Sequence, residues 1–190
     1  FQESKRAFEL LRYSMDGSAY VGFDTETALA EIYKGSKADK VTMHLLQIST
    51  KTVTLLELWV TVGTESYTSE NSTKFLGDDG VIKIMCDVQN DLGPIPCTRS
   101  LIVDIQDYYR LMTEIVSKKK HKFVAEEKVS LPKMLTYVSA KQWKKLVHKN
   151  HGFHFGRAWE RDWSLMLTRE FMTYAACDSL TTLAVFLRTE

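Results

Sequence analysis

The stretch AYVGFDTET, residues 19 to 27, decides how the rest of the chain is read. It opens as a β-rich apolar run and ends in acidic and hydroxyl residues, the pattern of a buried strand whose C-terminal end emerges at a site. Residues two apart on a strand face the same side, so Asp24 and Glu26 converge. An isolated pair of this kind is weak evidence, since such pairs are common and more often an ordinary solvated strand end.

Outward from this strand, VTMHLLQIST (41 to 50) and TVTLLEL (52 to 58) read as two further strands joined tightly at Thr50 and Lys51, so the three form an antiparallel meander. Upstream, Ala7, Phe8, Leu10 and Leu11 recur at helical spacing between Ser4 and Tyr13, and Asp16-Gly17-Ser18 breaks the helix. Downstream of Gly63, TESYTSENSTKFLGDDG is polar enough for a surface helix or partly loop, with Gly77 to Gly80 as its stop. VIKIMC (81 to 86) and SLIVDI (100 to 105) are two short buried strands, each followed by a helical pattern, as in a parallel half-sheet. Ser130 caps a helix starting at Leu131-Pro132, a second helix spans Ala140 to Lys149, and Thr168 to Leu187 reads as a long, substantially buried helix.

Composition narrows the class. The 190 residues, 44% hydrophobic and 26% charged with nine glycines and three prolines, exclude disordered, collagenous and low-complexity chains and suit one domain. A net charge of +1 supplies no overall pull towards nucleic acid or an anionic membrane, so any polyanion must be met by local patches. Cys86, Cys97 and Cys177 form no CxxC pair, which favours an intracellular, reducing compartment, cytoplasm or nucleus. No apolar run reaches the ~18 residues of a membrane span, so no membrane partner is expected. The absence of an initiator Met leads to the expectation of a single domain, residues 1 to 190, cut from a longer chain.

Two further acidic signals follow. Asp91, in KIMCDVQNDLG, lies just beyond a strand, where it could also simply cap the next helix. Tyr174 and Asp178 are four apart in the last helix and so share one face about a turn apart. Taken in order, two carboxylates on the first strand, one after a middle strand and one on the last helix can surround a single point in an RNase H-like α/β domain. Hard oxygen ligands at such a point suit Mg²⁺ or Mn²⁺.

With these motifs the chain resembles the DEDDy 3′-5′ exonucleases, the group that includes RNase D, the Werner-syndrome exonuclease domain and the proofreading domains of DNA polymerases. VGFDTET resembles the first exonuclease motif, KIMCDVQNDL the second and DWSLMLTREFMTYAACDSL the third, while HLLQIST and LIVDIQDYYRLM resemble the intervening strands and helix. The resemblance covers nearly the whole chain. It implies an α/β, RNase H-like fold with a mixed central sheet, an antiparallel meander followed by parallel strands, flanked by helices.

It further implies hydrolysis from a 3′ end to nucleoside 5′-monophosphates with two divalent metal ions, Mg²⁺ or Mn²⁺. Asp24 would bridge both ions, Glu26 and Asp178 would complete one site, Asp91 would hold the second ion, and Tyr174 would orient the attacking water. Asp104 lies outside the metal shell in the family pattern. Cys86 stands where many relatives carry histidine. The substrate expected is a single-stranded nucleic acid, RNA in preference to DNA, with protein partners reached through flanking regions. Phosphate and base contacts are expected from Lys118, Lys119 and Lys120, from Arg157 and Arg161, and from His44 and Leu45 near the first motif. The alternative is an inactive exonuclease-fold module for RNA binding or protein docking. Retention of Asp24, Glu26, Asp91, Tyr174 and Asp178 argues against it, because a binding module gains nothing from mutually repelling carboxylates.

Overall fold

The structure is a computed structural model, and it describes residues 2 to 34, 37 to 63, 65 to 88, 101 to 110, 129 to 138 and 162 to 189. The described residues centre on a six-stranded sheet. In chain order the strands are β1 (Tyr20–Lys34), β2 (Lys37–Ser49), β3 (Thr54–Val62), β4 (Glu65–Tyr67), β5 (Ile82–Met85) and β6 (Ile102–Asp104). Their spatial order is β4-β3-β2-β1-β5-β6. The β1 to β4 pairs are antiparallel, while β5 pairs parallel with β1 and β6 parallel with β5. This is the expected antiparallel meander followed by parallel strands, with helices on its faces.

The helices are α1 (Gln2–Ser14), α2 (Glu70–Leu76), α3 (Leu131–Val138) and the long α4 (Arg169–Thr189), which a 3₁₀ turn, Trp163–Leu167, precedes. Residues 105 to 110 are helical as well. Among the described residues no helix is long and apolar enough to cross a membrane.

Period-two alternation on β1 and β2 sends side chains to two different layers. Val21, Phe23, Leu46 and Ile48 face one way and join Phe8 and Leu11 of α1, Phe75 and Leu76 of α2, and Trp59 in one buried cluster. The rings of Phe8 and Phe75 meet at 5.5 Å between centroids, which ties α1 to α2. The opposite face meets α4. Ile84, Leu183, Val185 and Phe186 pack there with Met134 and Leu135 of α3, and Ala28 and Leu45 pack with Met166, Phe171 and Ala175.

Several boundaries differ from the sequence reading, for local reasons. β1 and β2 run well past residue 27 and begin well before residue 41, pairing residue by residue out to Lys34 and Lys37, where charged residues obscure the apolar alternation. The polar segment after Gly63 divides. Residues 65 to 67 form the edge strand β4, and α2 then starts behind Ser69, whose side chain accepts from the Ser72 N–H at 3.1 Å. Asp162 opens the 3₁₀ turn by accepting from Ser164 N and Oγ at 3.1 and 2.6 Å. Thr168 Oγ1 accepts from the Phe171 N–H at 3.2 Å and so caps α4, close to the expected start. The expected helix at Ala140 to Lys149 lies outside the described residues.

Candidate metal centre

Gly22, Asp24, Glu26 and Ala28 follow one another on the α4 side of β1. Gly22 decides how near the helix can come. A Cβ built on it would lie 2.1 Å from the Ser179 carbonyl oxygen and 2.9 Å from Leu183 Cβ, so only glycine allows this approach. The helix runs opposite to β1, with Ser179 and Leu183 over Gly22 and with Phe171 and Ala175 packed with Ala28. Asp178, one residue before Ser179, is thereby brought over Asp24 and Glu26.

A second contact holds the same turn of α4. Ser179 Oγ and Ser49 Oγ are 2.7 Å apart, both buried, and Ser49 is the register partner of Gly22. Ser49 also meets Thr54 Oγ1 at 2.7 Å, so the hydroxyl bridge runs from α4 across β2 to β3.

Asp24, Glu26 and Asp178 each place a carboxylate oxygen within 4.8 Å of the other two. Three half-buried carboxylates this close repel one another when ionised. Burial pushes the Asp178 carboxyl from its ordinary 3.8 up to about 6, against the opposing effect of its hydrogen bond with Tyr174. Burial also raises the Tyr174 phenol well above 10, assisted by the negative charges of Asp178, Glu26 and Asp24. The phenol therefore stays protonated at neutral pH and donates its O–H to Asp178, one helical turn away. Its ring meets Phe171 edge-on at 5.8 Å, which fixes the phenol's approach.

The donor set fits a divalent cation. It is all oxygen and anionic, and a hard dication would relieve the charge that burial opposes at Asp178.

Gln47 sits directly across the ladder from Asp24, on the same face, and is fully buried. Its Nε2 donates to the Leu45 carbonyl at 3.1 Å, while its Oε1 has no hydrogen-bond partner among the described residues. Gly22, Gln47 and the Ser49–Ser179 bridge were not singled out from the sequence. An isolated glycine inside a strand pattern is the available signal for the first, and a polar residue inside the apolar run MHLLQI for the second.

The other anticipated positions fall in three groups. His44 and Leu45 are 2% and 3% exposed. His44 faces away from the carboxylates, its Nδ1 is 2.9 Å from Thr27 Oγ1, and burial lowers its pKa; Leu45 packs with Phe171 and Ala175. As placed, they contribute packing and one hydrogen bond. Asp91, Lys118, Lys119, Lys120, Arg157 and Arg161 lie outside the described residues.

Asp104 does not join the carboxylate group. Its Oδ1 accepts from the N–H groups of Gln106 and Asp87 at 2.8 and 3.3 Å, and its Oδ2 accepts from that of Val88 at 3.1 Å. It thus caps two chain segments, including the turn at Asp87, where φ is +67°. Cys86 lies beside it. Burial, followed by smaller effects of nearby carboxylates, pushes its thiol up to about 12, while a hydrogen bond from Gln106 pulls the other way. At that value Cys86 is a neutral small side chain rather than a thiolate ligand.

Residues 2–188 match the sequence model of a family described as 3′-5′ exonuclease. No curated protein and no solved structure matches the chain.

Proposed function

The chain belongs to the 3′-5′ exonuclease family, and on that premise we propose that it is an active, metal-dependent nuclease of the DEDDy type, close to the RNase D and Werner-syndrome exonuclease branch. It hydrolyses single-stranded nucleic acid, RNA in preference to DNA, from the 3′ end and releases nucleoside 5′-monophosphates. The observation that carries this reading is the convergence of Asp24 and Glu26 with Asp178 through a glycine-permitted contact between β1 and α4.

Enzymes of this family use divalent metals, and two such ions, Mg²⁺ or Mn²⁺, would supply charge neutralisation for the attacking and leaving oxygens of an in-line displacement. Asp24, Glu26 and Asp178 would hold the first, with Asp24 shared, and Asp91 would complete the second. The chain's own residues do the rest. Tyr174 keeps its proton, and its hydroxyl, anchored on Asp178, can orient a water towards the scissile phosphate. Gly22 and the Ser49–Ser179 bridge hold the helical turn that carries Asp178 against β1. Lys118, Lys119, Lys120, Arg157 and Arg161 are the proposed phosphate contacts, and His44 and Leu45 would line the groove only after a rearrangement that exposes them. Cys86 and Cys177, neither of them in a disulfide, fit a reducing compartment, the cytoplasm or nucleus.

The test is incubation of 5′-labelled and 3′-labelled single strands, RNA and DNA separately, with Mg²⁺, Mn²⁺ or EDTA. Shortening from the 3′ end, mononucleotide release from the 3′-labelled strand and silence in EDTA are expected, with RNA consumed faster. Strand binding with no degradation under any condition would overturn the enzymatic reading in favour of a docking or RNA-binding module.

A further inference from the structure

We propose that Gln47 is an additional member of the metal centre, a positioning residue whose Oε1 accepts a hydrogen bond from a water in the hydration shell of the cation held by Asp24, Glu26 and Asp178. The inference rests on the metal-dependent reading above and adds to it a residue outside the acidic set.

Gln47 is the cross-strand partner of Asp24, and Leu45 is the partner of Glu26, all on the face that meets α4. Directly opposed residues of an antiparallel pair have Cβ atoms about 5 Å apart. The Gln47 side chain leans back along β2, because its Nε2 donates to the Leu45 carbonyl at 3.1 Å. Its amide head therefore lies alongside the Asp24–Glu26 pair.

That hydrogen bond also orients the amide. Turning it over would set Oε1 against the Leu45 carbonyl, acceptor against acceptor, and leave the NH₂ group without its partner. With Nε2 committed, Oε1 is a buried acceptor that finds no donor among the described residues. Buried acceptors are seldom left unmade, since the loss of hydration is uncompensated. The carboxylates beside it supply no donor when ionised. A divalent cation of the magnesium type keeps several waters when carboxylates bind it, and coordination makes those waters better donors. An acceptor beside the carboxylates then holds one such water in a set orientation, as partners outside the ligand set commonly do at metal sites.

Calorimetric titration of Mn²⁺ into wild type, Gln47→Met and Gln47→Glu tests this, alongside the thermal midpoint of each protein in EDTA. Gln47→Met keeps the volume and removes the acceptor. It should bind Mn²⁺ about tenfold more weakly, with an EDTA midpoint equal to or above that of wild type, because an unsatisfied acceptor has been removed. Gln47→Glu retains an acceptor oxygen but sets its second oxygen against the Leu45 carbonyl and adds a negative charge, so it should recover the Mn²⁺ affinity with an EDTA midpoint below that of Gln47→Met. A third measurement needs no folded variant: in the wild type the Gln47 side-chain amide ¹⁵N–¹H signals should shift as Mg²⁺ is added and saturate with binding.

Unchanged Mn²⁺ affinity in Gln47→Met, or side-chain amide signals that ignore Mg²⁺ while the wild type binds it, would overturn the Gln47 assignment and leave the nuclease reading standing. Failure of the wild type to bind either ion would overturn both.

Discussion

Phe23 and Asp24 are adjacent on β1 yet face opposite layers of the same sheet. The Phe23 layer is a closed apolar cluster, with Phe23 1% exposed among Leu11, Leu46, Ile48, Trp59 and Phe75. The Asp24 layer carries three repelling carboxylates, an amide oxygen with no donor among the described residues and a pair of buried hydroxyls beneath one helix. The difference teaches where stability and chemistry are separated in this chain. One side of two strands provides packing that holds the sheet. The other holds groups that disfavour the folded state until something of opposite charge joins them.

The sharpest way to break that comparison is to substitute across the Phe23–Asp24 bond. Asp24→Asn is expected to lower nuclease turnover by roughly 10³-fold, since charge stabilisation by a held metal is worth several kcal/mol, while the EDTA thermal midpoint holds or rises. Phe23→Ala is expected to lose about 3 to 5 kcal/mol of stability while Mn²⁺ affinity of the folded fraction is preserved. Chemical denaturation and metal titration of both variants check the pair, and a large stability loss in Asp24→Asn would show that the two layers are not separable.

Gly22→Val probes the contact between the layers. The added side chain meets the Ser179 carbonyl, and the expected cost is about 3 kcal/mol of stability together with loss of activity, because α4 and Asp178 must move away from β1. A fully active, fully stable variant would mean that Asp178 does not depend on this contact.

The acidic layer also predicts a pH dependence. The Asp178 carboxyl has a folded-state pKa of about 6 against an ordinary 3.8, so between these values the folded state binds more protons than the unfolded one. In EDTA, stability from this group is therefore fully present below pH 3.8 and is lost as pH rises through about 6, by about 3 kcal/mol at most. Saturating Mg²⁺ should reverse the slope over the same range, because the ion binds the deprotonated carboxylate. Thermal midpoints measured at intervals of pH, with and without Mg²⁺, give both curves, and matching curves would remove Asp178 from the cation site.

Tyr174→Phe should have the smallest effect. It removes the hydroxyl and keeps the ring contact with Phe171, so turnover is expected to fall roughly 10- to 100-fold through a misplaced water, with metal affinity little changed. Single-turnover rates beside a Mn²⁺ titration separate the two, and an unaltered rate would take the phenol out of the reaction.

Much of this arrangement was legible in the order of residues. Alternation placed Asp24 and Glu26 together, the four-residue step placed Tyr174 beside Asp178, and the apolar runs marked the meander and the later strands. The ends of β1 and β2 were less legible, because their outer residues are held by ladder pairing with each other rather than by an apolar alternation. The edge strand β4 was hidden for a related reason: three exposed residues pair with β3 without any buried side chain to signal it.

By itself, then, the sequence determined the sheet's central strands, the strand face that Asp24 and Glu26 share and the helical face that Tyr174 and Asp178 share, because those follow from periods of two and of 3.6 along a single segment. Tertiary structure alone decided that Asp178 meets Asp24 and Glu26. That meeting depends on how closely α4 can approach β1, which is set by the missing Cβ of Gly22 and by a hydroxyl bridge between Ser49 and Ser179, residues 130 apart in the chain.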